Sequence, residues 1–444
     1  MSKTLIHVDS FDILSSAGTR WDKYGQDPTS FANGTARVPG ALNLAYGITP
    51  GPTGFGTWNF FALHPYQVNY PTMPPAAYIA HVDVAPLNPN PAGTGSAIAF
   101  FTYGDHSSAL NFQFALYVNG SNHYALQVLI GGVFTDVWVD SATVVWQDGS
   151  STSLSYDNFQ IRYTESSASN ISLAKNGTTV FTGGPYNLTQ FSGPYTVSLF
   201  FSNIGTTPDF AFDNYILWSC NTSGEAFPGP QHVYALEMAS VATAFPDWAF
   251  AGVNATSLLD AVSTQMGVAH DSNLSYVSPN SASPLDYNPQ TTAVTPSLGV
   301  AINIHGSGNG AGNVIKARFD LTDLTSSPAL PTSFWPGIQW CLSVNPNTGM
   351  PFTLSDINGG TFGFKSSTGL ANITHIYLEL VVPVAGTNVT QNRTISGAYS
   401  IAGNTLTTKT ISGSYSITTS ITPPPVPGAP GLKCNPLGGT LLSS

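Results

Sequence analysis

Charge is what this sequence has least of. Charged residues make up 8% of its 444 positions, where an average soluble domain carries roughly 25%. Glutamate occurs four times, as Glu165, Glu225, Glu237 and Glu379. Lysine and arginine number 12 together and never form a run. A nucleic-acid groove needs clustered cations to displace counterions, so that partner is excluded. The three cysteines, Cys220, Cys341 and Cys434, are odd in number and far apart. They form neither a disulfide framework nor a CxxC metal site and read as isolated thiols. No apolar run of ~18 residues is present, so no helical membrane insertion is expected. The opening "MSKTLIHVDSFDIL" lacks the apolar core of a secretory leader, and none is expected. The Asn-X-Ser/Thr triplets at Asn176, Asn187, Asn254 and Asn388 then follow from composition alone.

In place of charge stand Ser, Thr and Asn, with 43 Gly and 33 Pro, while aromatics reach 12%. Few strong helix formers and many β-branched and aromatic residues predict an all-β chain. In "LNFQFALYVNG", Leu110, Phe112, Phe114, Leu116 and Val118 share one face, with Asn111, Gln113, Ala115 and Tyr117 on the other. A period of two predicts a half-buried strand, running into a hairpin turn at Asn119-Gly120. "ISLAKNGTTVFTGG" repeats that logic around Asn176-Gly177. Close-spaced strands with no helical period between them predict a two-sheet sandwich over residues 1–220. A linker-like "NTSGEAFPGPQ" then leads to a second β-sandwich, placed at 221–384. The tail, 385–444, repeats "TISGAYSI" (Thr394–Ile401) as "TISGSYSI" (Thr410–Ile417) before a Pro-rich spacer, a hairpin-like pattern suited to packing on another chain.

Enzymatic chemistry finds little support. No two glutamates lie within ten residues, so the paired carboxylates of a glycoside hydrolase strand are missing. No G-x-S-x-G elbow occurs, and "DHSS" at Asp105–Ser108 points neighbouring side chains to opposite faces. The glycines of "IHGSGNGAGN" miss the dinucleotide spacing and read as a flexible hairpin loop. No cofactor is expected. Ca²⁺ at a loop edge is the weak exception, with Asp105 and Asp213 as candidate ligands. Composition favours carbohydrate, held by aromatic faces beside amides and hydroxyls, with Trp58, Tyr103, Trp138 and Trp146 as candidate platforms.

Two phrases carry a family likeness. "HVDSFDILSSAGTRWDKYG", with Trp21, many short strands and a closing "FAFDNYILWS" holding Asp213, resembles the concanavalin A-like/laminin-G-like jelly rolls of tailed-bacteriophage virion proteins. The second segment, with "LSYVSPNS" and "NPNTGMPFTLSDINGGTFGFKSS" (Asn345–Ser367), resembles the β-rich module that follows in those proteins, with Phe352 where that module carries Trp. In the latter phrase Phe352 and Leu354 alternate as a brief strand would, Phe362 and Phe364 turn inward, and Asp356 and Lys365 read as solvated. The resemblance, over Met1 to Ser367, implies a structural virion protein rather than an enzyme. It implies a tail fibre or minor tail protein, with a capsid decoration protein or head fibre as the alternative and a carbohydrate-active enzyme of the same fold behind both. Partners would be other virion proteins, copies of itself and a host-surface glycan. Assembly would take place in the host cytoplasm, with release by lysis.

Overall fold

The computed structural model describes residues 3–10, 21–25, 32–33, 42–43, 59–65, 77–87, 98–105, 112–147, 155–190, 195–203, 209–221, 224–244, 248–252, 257–259, 261–262, 275–279, 283–310, 312–320, 322–327, 329–330, 337–368 and 370–384. The chain divides into compact units Met1–Thr387 and Asn388–Ser444. The second unit, with its octapeptide repeat and Pro-rich spacer, lies outside the described residues, as do Trp58 and Cys434.

The all-β expectation holds, with every sheet pairing antiparallel. Sheet 1 runs, edge to edge, Thr178–Tyr186 (β13), Ser169–Lys175 (β12), Asp157–Thr164 (β11), Ala77–Leu87 (β6), Asp209–Cys220 (β15), Leu42–Asn43 (β4) and Ala32–Asn33 (β3). Lys3–Asp9 (β1) also pairs with β15. Sheet 2 runs Val133–Thr143 (β10), His123–Ile130 (β9), Phe112–Val118 (β8), Ile98–Asp105 (β7), Tyr195–Asn203 (β14), Asn59–Pro65 (β5) and Trp21–Gly25 (β2). Side chains from both sheets, among them Val82, Ile161, Leu173, Phe114, Leu126 and Tyr163, interleave in one core, which makes a sandwich.

Local turn chemistry sets the registers. Asn176 and Gly177 both take left-handed backbone between β12 and β13, as a two-residue hairpin of this twist requires. The β8–β9 turn is longer than "NG" suggests. It spans Asn119–Asn122, closed by Asn119 N–H on His123 O, and the left-handed residue is Asn122. β8 is also buried on both faces, where alternation predicted one: Gln113, Ala115 and Tyr117 are as enclosed as Phe114 and Leu116.

The second sandwich is one connected set of ten strands. It runs Trp248–Gly252 (β17), Ser275–Pro279 (β18), Ala371–Pro383 (β25), Gln231–Ala244 (β16), Leu285–Pro289 (β19), Phe362–Thr368 (β24), Val314–Phe319 (β21) and Thr322–Ser326 (β22). Gly299–Gly308 (β20) joins β25, and Gly337–Leu342 (β23) joins β20. β16 serves both layers: Gln231–Glu237 pairs with β25, and Met238–Ala244 pairs with β19 through two register shifts within that stretch. Such irregularities bend a strand enough to fold one sheet over another. Ile302, Ile304, Ala317, Phe319, Phe362 and Phe364 fill the space between.

The glycines of "IHGSGNGAGN" correct the loop reading, because β20 continues as strand through Gly308. In the Asn345–Ser367 phrase, Phe362 and Phe364 do face the core. Leu354, expected in a strand, instead begins a one-turn helix, Leu354–Asn358 (α1). Thr353 caps it: its hydroxyl accepts from Asp356 N–H while the Asp356 carboxylate accepts from Thr353 N–H. A reciprocal cap of this kind satisfies two orphan donors and wins over a weak period-two signal. Asp356 is therefore a cap, and Lys365 pairs with Asp323; neither is merely solvated.

The two sandwiches share an apolar seam of Leu5, Val8, Ile79, Ile216, Trp218, Val233, Ala301 and Val381. Alternate side chains along β23 and its exit bond the main chain of β1. The Gln339 amide both accepts from Val8 N–H (2.9 Å) and donates to Val8 O (2.8 Å). Cys341 Sγ donates to Ile6 O, and Ser343 Oγ accepts from Leu5 N–H. The linker-like stretch is pinned as well: Arg162 donates to Glu225 O and lies over Phe227, and Gln160 donates to Gly229 O. Linker and second sandwich thus pack on sheet 1 at β1, β6, β11 and β15.

Candidate functional site

On the outward face of sheet 2 the described residues a partner can reach lie at the β9–β10 edge, since Gln113, Ala115 and Thr102 further in are buried. Strands β7–β10 place a polar row in direct register. Asp136 on β10 faces Gln127 on β9, Gln127 faces Ala115 on β8, and Ala115 faces Thr102 on β7. Their neighbours Trp138, Leu126, Leu116 and Tyr103 belong to or pack on the core, so alternation turns the row outward. Beside it lies a second row, Tyr117 facing Ala125 and Ala125 facing Val139. On the other flank Phe134 of β10 faces Leu129 of β9.

Exposure falls along the polar row, from exposed Asp136 through half-buried Gln127 to Thr102 at 1%. The Tyr117 hydroxyl donates to Asp136 Oδ1, which orients the carboxylate and leaves its second oxygen available. Burial first, and then that bond, push the Tyr117 hydroxyl above its ordinary range, so it stays a donor. Gln113 Oε1 accepts from Gln190 Nε2 at 3.3 Å, while Gln113 Nε2, fully buried, has no hydrogen-bond partner. Thr102 Oγ1 has none either. Buried polar atoms are satisfied in the great majority of cases, and each exception asks for an explanation.

The expected aromatic platforms fall elsewhere. Tyr103 is fully buried and packs on Phe114 and Tyr163, so it is a core residue and no surface platform. Trp138 faces Leu126 across the strand pair and packs on the core, with its ring turned away from the outward face. Trp146 is half-buried against Phe210. Among the described side chains of β7–β10 the exposed aromatic on this side is Phe134, at 37%.

The two candidate Ca²⁺ ligands are not brought together. Asp105 ends β7 in sheet 2, while Asp213 lies in β15 of sheet 1, opposite Asp83 and fully buried. The Asp83 carboxylate accepts from Asn158 (2.7 Å) and Asn214 (2.9 Å), and Asn214 Oδ1 accepts from Val233 N–H at the start of the second sandwich. Among the described residues no group of three His, Cys, Asp or Glu side chains could hold a metal. Asn214, left-handed at a register shift, is thus a joint between sandwiches.

No protein-family model matches the sequence, and no curated protein does. Among solved structures, the chain is similar to an endo-β-1,4-glucuronan lyase of the fungus Trichoderma reesei, with 9% identity over 50% of this chain and 100% of that one (TM-score 0.35). It is similar to a carbohydrate esterase of the Shiga toxin-encoding bacteriophage phi24B, with 11% identity over 50% and 100% (TM-score 0.33). It is also similar to the winged bean acidic lectin complexed with methyl-α-D-galactose, with 12% identity over 48% and 98% (TM-score 0.31).

Proposed function

We propose that this protein is a glycan-contacting structural subunit of a tailed-phage virion surface, a tail fibre or minor tail protein that binds without cleaving. The observation that carries the binding half is the outward row Asp136–Gln127–Ala115–Thr102, with buried Gln113 Nε2 and Thr102 Oγ1 lacking partners beside it. Amides, hydroxyls and one oriented carboxylate suit the many donors and acceptors of a sugar, and Phe134 supplies an exposed ring at the rim. Asp136 is the one carboxylate on this face among the described side chains of β7–β10, whereas hydrolysis by the usual route needs two flanking the scissile bond. The virion setting is supported by the "DSFD…W" opening and the Asn345–Ser367 phrase, and by a surface low in charge and rich in Ser, Thr, Asn and Gly.

Two measurements test this reading. Retention of the full chain on immobilised host-envelope polysaccharide should occur without release of reducing ends or unsaturated products; product release would move the assignment to an enzyme. Antibody labelling of virions should mark the tail; label spread over the shell would favour capsid decoration, and unlabelled particles would refute the virion setting.

A further inference from the structure

Resting on that glycan-binding reading, we propose that the outward face of sheet 2 takes a neutral, hydroxyl-rich glycan and rejects glycans bearing carboxylate or sulfate. Recognition of an anionic sugar calls for Arg or Lys, whose charge-assisted bonds repay the desolvation of the anion. Among the described side chains of β7–β10 there is no Arg or Lys. His123 stands at the far end of β9, with its Nδ1 3.0 Å from Ala142 O. The charge on the face is Asp136, exposed at the β10 edge where a ligand would enter. With Oδ1 held by Tyr117, the other oxygen is placed to accept from sugar hydroxyls, the strongest bond a neutral sugar can offer a carboxylate. Further in, Gln113 Nε2 and Thr102 Oγ1 are buried polar atoms without partners, and neither requires a charged ligand. A uronate or sulfate beside Asp136 would meet like charge on a chain whose formal net charge is −11.

The test measures the full chain on immobilised dextran and galactan (neutral), polygalacturonate (anionic) and chitosan (cationic), at low and high salt. We expect a neutral polymer to be retained with little dependence on salt, and polygalacturonate to bind at least about tenfold more weakly. Asp136→Asn, at an exposed position, should weaken neutral binding and narrow the gap to polygalacturonate, with an unchanged melting curve as the folding control. Equal or tighter binding of polygalacturonate would overturn the proposal while leaving glycan binding intact. So would an unchanged neutral-to-anionic ratio in Asp136→Asn, or preferential, salt-sensitive binding of chitosan. Retention of none of the polymers would instead refute the glycan-binding reading itself.

Discussion

Each sandwich carries a polar row across four adjacent strands on an outward face, and the two rows differ in how they are satisfied. In the second sandwich Asp286, Gly363, Arg318 and Asp323 follow one another in register over β19, β24, β21 and β22. Arg318 Nε bonds Asp286 Oδ1 at 3.0 Å, Arg318 Nη1 bonds Asp323 Oδ1 at 2.5 Å, and Lys365 completes the set on Asp323 Oδ2. Gly363 lies beneath the crossing: a Cβ there would run into Leu285 O and Asp286 Oδ1. Every charge in that row answers another. In the first sandwich the row Asp136–Gln127–Ala115–Thr102 has one charge, and buried Gln113 Nε2 and Thr102 Oγ1 beside it have no partner. The two polar rows are built by the same register logic but satisfied differently: a closed network holds its strands together, and the other is the row that the proposed glycan would meet at its exposed Asp136 end.

The largest effect should come from breaking the closed row. Arg318→Met leaves Asp286, 2% exposed, as a buried carboxylate without its cation, and should cost about 3–5 kcal/mol in chemical denaturation. Gly363→Ala puts a methyl group into backbone that has no room for it and should cost about 1–3 kcal/mol by the same measurement. The open row should respond in binding and not in stability. Tyr117→Phe with Gln127→Ala should weaken glycan retention about tenfold, equivalent to roughly 1.4 kcal/mol, with the melting temperature little changed. The smallest effect is a pH signature. At Asp323 burial alone would raise the carboxyl, but Lys365, Arg318 and Lys316 outweigh it and hold it below the usual range. A depressed folded value means stability that is present above the unfolded value of about 3.9 and lost as pH falls through the folded one. Partly exposed as it is, Asp323 should lose no more than about 1 kcal/mol at pH 7 on Asp323→Asn. The difference from wild type should vanish at acid pH, and denaturation curves across the pH range measure it. Asp286 runs the other way and in a different window: burial raises it despite Arg318, so its contribution is full below the unfolded value of about 3.9 and falls as pH rises from there through the folded one.

Strand identity was legible because the signal is local. Alternation in "LNFQFALYVNG" and the Asn176-Gly177 turn needed no tertiary information to place β8 and the β12–β13 hairpin. Face burial was not legible, since Gln113 and Tyr117 look like solvent residues until the rest of the fold encloses them. The helix α1 escaped notice because a cap three residues long decided it, against a period-two pattern of equal length. The candidate site was hidden for a third reason. Trp138 lies two positions beyond Asp136 in sequence, but a register shift between them sets which of the two faces the core. No pattern in a single sequence marks that shift, so Trp138 reads as a surface platform there and Phe134 does not. In the Asn345–Ser367 phrase, Gly363 is the residue whose purpose only the structure explains, because Arg318 and Asp286 meet over it.

The most direct test of the central claim is amide hydrogen exchange of the full chain with and without a retained neutral glycan. The account predicts added protection in β9 and β10, residues 123–143, and none in β21 and β22, residues 314–326. Protection confined to the second sandwich, or absent from 123–143 while glycan is bound, would contradict it.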